Sequence, residues 1–147
     1  MKKMTIFIGA DHAGYKLKEA LKRALLKIPD GPQIYDLSPR YRKGDDYPKV
    51  AAQVARLVVA APEARGVLVC GSGIGMAIAA NRQKGVRAFD AFDAKTVKLA
   101  REHNDANVLT LSGWRQNVAT AQKLVETFLK TNASGAERHK RRIKQLG

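Results

Sequence analysis

A cysteine followed at once by a glycine-rich turn is the feature of this sequence with the most chemical consequence. Cys70-Gly71-Ser72-Gly73-Ile74-Gly75 ends the most apolar run of the chain and opens an alanine-rich helical stretch. A thiol at a helix N-terminus has its thiolate favoured and can serve as a proton-abstracting base. The N–H groups of such a loop point at an anion, and the helix dipole adds about half a positive charge, so the loop reads as an oxyanion or phosphate cradle. It is not a dinucleotide fingerprint, because Met76 stands where the third glycine belongs, and it lacks the Lys and Ser/Thr of a Walker loop. The plainer reading is a small buried hydrophobe beside a tight turn that lets strand and helix pack closely.

In open parallel sheets ligands bind at the carboxyl ends of the strands, which gives a filter for the remaining candidates. Asp11 and His12 follow the first strand, the Cys70 loop the third, Asp90 and Asp93 the fourth, and Ser112-Gly113-Trp114-Arg115 the fifth. A carboxylate, an imidazole, a thiol, a hydroxyl and a glycine loop thus converge on one rim. Asp11-His12 also reads as a turn with a helix N-cap. His103-Asn104-Asp105-Ala106-Asn107 precedes the fifth strand, in turn-forming residues at the amino-terminal rim, so the filter does not select His103.

The elements that must position these residues alternate. Strands are expected over residues 4–9, 33–37, 66–70, 86–89 and 108–111. Helices are expected from the apolar spacing of Leu17, Leu21, Ala24, Leu25 and Ile28, then of Val50, Val54, Leu57, Val58 and Ala61, then over 74–81, 93–102 and 117–129. Strands alternating with helices imply right-handed βαβ crossovers. The fold class is therefore α/β, a Rossmann-like three-layer sandwich with a five-stranded parallel sheet, followed by a C-terminal basic helix. That arm, about residues 133–147, has few apolar positions beyond Ile143 and Leu146, so it has little reason to order on its own chain and is expected to dock elsewhere.

At 147 residues, with 45% hydrophobic and 27% charged, the chain reads as one globular domain spanning 1–147. Its single cysteine excludes an intramolecular disulfide, and the scattered His12, His103 and His139 give no zinc spacing, so no metal is expected. The longest uncharged stretch, 66–80, is shorter than the ~18 to 20 residues of a membrane span and holds four glycines. Lys2 and Lys3 before an apolar run look like the start of an export signal, but Asp11 and His12 cut it short. A cytoplasmic protein without membrane partners is expected. The net charge of +14 attracts polyanions in general. A nucleic-acid module would interleave aromatics with the basic residues, and the stretch 138–147 has none.

Five stretches in order carry a resemblance: IGADHAGYKLKE at 8–19, DDYP at 45–48, GVLVCGSGIGMAIAANRQKGVRA at 66–88, AREHNDANVL at 100–109 and RHKRRI at 138–143. Together they resemble the sugar-phosphate isomerases of the ribose-5-phosphate isomerase type B and galactose-6-phosphate isomerase group. The resemblance implies a cofactor-free interconversion of D-ribose 5-phosphate and D-ribulose 5-phosphate in a homodimer, or a dimer of dimers, with sites at the interface. A six-carbon sugar phosphate such as allose or galactose 6-phosphate is the alternative substrate. Residue by residue, Cys70 matches the base that moves a proton between C2 and C1, and Ser72 the hydroxyl that assists transfer between the oxygens. Asp11 and His103 match groups of ring opening. Gly71, Gly73 and Gly75 match the enediolate-stabilising loop, while Tyr47 and Asn104 match sugar ligands. His12, Arg138 and Arg142 match phosphate ligands, the last two reaching the partner's site. The chain departs from the group twice: Met76 stands where some members, lacking the cysteine, carry a glutamate whose carboxylate is the base, and Trp114 precedes Arg115 where others carry an arginine directly after Gly-Ser or Gly-Gly.

Overall fold

The computed structural model describes residues 3–147; Lys2, weighed above as part of an export signal, lies outside them. Among the described residues, five strands alternate with five helices and a sixth helix follows: β1 Thr5–Ala10, α1 Tyr15–Leu26, β2 Gln33–Asp36, α2 Tyr47–Ala60, β3 Arg65–Cys70, α3 Ile74–Ala80, β4 Ala88–Asp90, α4 Ala94–Asn104, β5 Val108–Ser112, α5 Val118–Lys130 and α6 Glu137–Leu146. All strand pairs are parallel, in the order β2-β1-β3-β5-β4. The order reverses between β1 and β3, so the crevice that such a sheet offers to ligands opens between Asp11 and Cys70.

Strand alternation divides the core. Ile6, Ile8, Val67, Val69, Leu109 and Leu111 point to the face covered by α1, α4 and α5, whereas Leu68 and Cys70 point to the face covered by α2 and α3. The helices obey their own period. Leu17, Leu21 and Leu25 form the buried stripe of α1, and Val50, Val54 and Val58 that of α2, which carries Pro48 in its first turn. No helix of the described residues is long and apolar enough to cross a membrane.

Two expectations shift. β4 begins two residues late because the Arg87 N–H donates to Asn107 Oδ1 at 2.7 Å, and Asn81 clamps Ala88 through both its N–H and its carbonyl. The basic arm is not detached from its own chain: α6 docks on α4 through His139, which is buried, while Arg138, Arg141 and Arg142 stay exposed.

Candidate active site

The carboxyl rim gathers Asp11, His12, Tyr47, Cys70, Ser72 and the glycine loop. Cys70 ends β3 on the α2/α3 side and is 4% exposed; its Sγ accepts the Gly73 N–H at 3.1 Å. Ser72 Oγ accepts the N–H of Ile74 at 3.2 Å, so thiol and hydroxyl are both anchored to the start of α3. Gly73 has φ +84°, and a side chain there would run into the Asp90 carboxylate, so only glycine fits this turn. Gly71 packs against the Trp114 indole and Gly75 against the Tyr47 ring. The glycines of this loop thus admit the side chains that wall it. Met76 is fully buried below, so no ionisable group competes with Cys70 at that position.

Asp11 is nearly buried, and its Oδ1 accepts the Gly14 N–H at 3.0 Å. Gly14 itself occupies the N-cap of α1, so Asp11 closes the turn and does not cap the helix. Burial pushes the Asp11 carboxyl above its ordinary range, against the Gly14 and Ala13 N–H groups and the neighbouring His12, which suits a group that exchanges protons. His12 is exposed and bound to Asp45, whose hydrogen bond is the main cause that raises the imidazole above its ordinary pKa. The wall of the loop is braced from β4 and β5. Thr110 Oγ1 donates to the Gly73 carbonyl at 2.8 Å, and Ser112 Oγ donates to the Gly71 carbonyl at 2.6 Å. Arg115 bonds Asp90 at 3.3 Å and the Ser72 carbonyl at 3.4 Å, with its guanidinium 4.2 Å from the Phe92 ring centroid. Asp93 caps α4 through the Thr96 N–H, a purely structural task.

His103, Asn104, Arg138 and Arg142 lie elsewhere. His103 and Asn104 end α4, just before Asn107, whose carbonyl receives the Gly66 N–H at the opening of β3; Cys70 pairs with Ser112 at its far end. Five residue steps at ~3.3 Å put roughly 16 Å of sheet between the two rims. Within one chain His103 therefore does not meet Cys70, and it faces α6 instead.

Several residues that shape the site carried no assigned role in the sequence. Lys18 is fully buried, bonding Asp36 at 2.7 Å and the Ser38 carbonyl at 2.6 Å, while Ser38 Oγ accepts the Ala10 N–H; together they anchor the segment leading to Asp45. Arg101 is 2% exposed and ties Asp105, Ala106 and Thr131 together beneath His103. No local pattern marks either residue as buried; their partners lie far away in the chain or on the backbone. Among the described residues no group of three or more His, Cys, Asp or Glu side chains converges as a metal site.

In sequence and in fold the chain is similar to proteins of known chemistry. The ribose-5-phosphate isomerase B of Mycobacterium tuberculosis is 41% identical over 143 residues, covering 97% of this chain and 88% of that one. The type B ribose 5-phosphate isomerase of Trypanosoma brucei superposes with a TM-score of 0.92 at 39% identity, over 99% of this chain and 97% of that one. The ribose-5-phosphate isomerase B of Mycoplasma genitalium, solved with bound ribulose-5-phosphate, gives a TM-score of 0.91 at 38% identity, over 99% and 95%. A family profile described as Ribose/Galactose Isomerase matches residues 6–146. By sequence and by fold, the chain belongs to the ribose/galactose isomerase family.

Proposed function

We propose that this protein interconverts D-ribose 5-phosphate and D-ribulose 5-phosphate, with Cys70 as the base. The observation that carries this reading is Cys70 Sγ held by the Gly73 N–H at the mouth of the loop, with no carboxylate at Met76. The thiolate removes the C2 proton of the open-chain aldose. The electron pair forms the C1–C2 double bond and the aldehyde π electrons move onto O1, giving an enediolate beside the loop N–H groups. Returning the proton to C1 while Ser72 relays the O2 proton to O1 yields the ketose. Asp11 and the partner's His103 exchange the protons that open the furanose: one leaves the anomeric hydroxyl and one reaches the ring oxygen. Tyr47 and the partner's Asn104 hold the sugar. His12, with Arg138 and Arg142 from the partner's arm, holds the phosphate.

A homodimer fits this division, because one chain carries half the groups on each rim. α3 presents Ile74 and Ile78 at 54% and 59% exposure, one turn apart, and Trp114 on Gly71 is 78% exposed, an apolar surface suited to a second copy. A lone cysteine and these metabolite substrates fit the cytoplasm. The test is ketose formation by the purified protein from ribose 5-phosphate, with allose and galactose 6-phosphates as parallel substrates. Cys70→Ala should fold normally and lose at least ~10² in kcat. Retention of more than about a tenth of the wild-type rate removes Cys70 from the mechanism.

A further inference from the structure

The segment between β2 and α2 meets the turn after β1 through one residue pair. His12 donates its backbone N–H to Asp45 Oδ1 at 2.7 Å, and its ring Nδ1 lies 3.2 Å from both that oxygen and the Asp45 carbonyl oxygen. Both neighbours of Nδ1 are acceptors, so Nδ1 carries a hydrogen. A neutral ring with hydrogen on Nδ1 offers only a lone pair at Nε2, which repels a phosphate oxygen. Only the doubly protonated ring donates from Nε2.

We propose that Asp45 is a positioning residue for substrate binding: its carboxylate fixes His12 in the ring orientation and charge state that donates Nε2–H to the phosphate of the sugar. This rests on the assignment of His12 as a phosphate ligand. The charge balance around the ring agrees with it. Asp45, from the segment before α2, and Asp11, beside His12, are the charged groups that act on the imidazole, and both favour the cation. Arg40, Arg42, Asp46 and Lys49 line a cleft together with Asp45, and His12 is not among its lining residues. Asp45 is itself set in place, with its N–H bonded to the Arg42 carbonyl, and the segment is anchored at its start by Lys18 and Ser38.

Asp45→Asn keeps the shape and an acceptor oxygen and removes the charge. Two measurements separate this proposal from the assigned activity. NMR titration of the His12 ring in the free protein, with no substrate present, should give a lower pKa in Asp45→Asn than in the natural protein. The KM for ribose 5-phosphate, measured from pH 5.5 to 8.5, should be nearly equal in the two proteins at the acid end. Above pH 7 it should rise roughly tenfold in the variant, as expected for one lost charge-assisted contact, with kcat little changed. An unchanged His12 titration overturns the proposal whatever the enzyme does. A KM ratio that is the same at every pH also overturns it, because a merely structural loss would act at all of them. Absence of ribose 5-phosphate turnover in the natural protein defeats the proposed function instead, and the titration still decides whether Asp45 governs His12.

Discussion

The imidazole of His139 lies over that of His103, with 4.3 Å between ring centroids and 31° between ring planes. His139 Nδ1 meets Ser134 Oγ at 2.6 Å, and the Ser134 N–H donates to the Glu102 carbonyl at 2.9 Å. One buried side chain thus joins the basic arm to the helix that carries His103 and Asn104, and it fixes Arg138 and Arg142 relative to them. The proposed half-site of the amino rim is one unit because of this stack.

The pair makes arm docking sensitive to acid. Burial lowers the His139 pKa, and His103, Arg138 and Arg142 lower it further against the pull of Glu102. The docked arm therefore binds the proton more weakly than the free arm. Docking is complete above the ordinary imidazole value of about 6.5 and weakens as pH falls below it. Amide hydrogen exchange over residues 136–147, corrected for intrinsic rates, should be more protected at pH 7.5 than at pH 5.5, and His139→Phe should abolish the difference. Equal protection of the natural arm at both values contradicts this account.

What the sequence displayed depended on how local each cause is. Strand alternation and helical stripes are local, so the order of elements and the placement of Cys70, Asp11 and the glycine loop on one rim followed from them. The role of a charged residue at long range has no local mark. Lys18 sits among leucines as an ordinary helix residue, and only the distant Asp36 and Ser38 show why it is buried. The bracing of Gly73 by Thr110 and Asp90 joins residues on different elements, and neither side of that contact has a periodic signature. The arm has few apolar residues to announce its docking, which is made by a histidine stack and a hydroxyl.

Thr110 offers a clean test of that bracing. It is fully buried and donates to the Gly73 carbonyl, so Thr110→Val keeps the shape and leaves that carbonyl with the Ala77 N–H as its remaining donor. A loss of about 0.5–1.5 kcal/mol in urea unfolding is expected, with a drop in kcat because the loop holds its turn less firmly. A variant as stable and as active as the natural protein shows that the bond is dispensable.

The lysine under the Asp45 segment should matter more. Burial works to raise the Asp36 carboxyl, yet Lys18, Lys22 and the Ser38 N–H together hold it below its ordinary range. Stability from this cluster is therefore present above about pH 4 and is lost as pH falls through the lower folded value. Lys18→Met removes one buried partner and leaves Asp36 with Lys22 at 2.6 Å, for an expected loss of about 3 kcal/mol at pH 7. The difference between variant and natural protein should shrink in unfolding experiments below pH 4; a constant difference across pH would mean that Lys18 acts through packing alone.

The interface reading has its own arithmetic. If each site joins the carboxyl rim of one chain to the amino rim and arm of the other, a Cys70→Ala chain retains a sound arm and an Arg138→Ala/Arg142→Ala chain retains a sound thiol. Their mixed dimer then holds one site with both halves intact and one with both damaged. Neither parent has a sound site, so activity must appear on mixing. With random exchange half the dimers are mixed and half their sites are sound, so recovery should reach about a quarter of the natural activity. Truncation after Asn132 should raise KM sharply and leave the sheet folded, because α6 contributes only His139 to the buried surface. A solvated tail would leave KM unchanged. Heterodimers that form, as shown by mass measurement of differently tagged chains, and yet recover no activity would place every site within a single chain and end the shared-site reading.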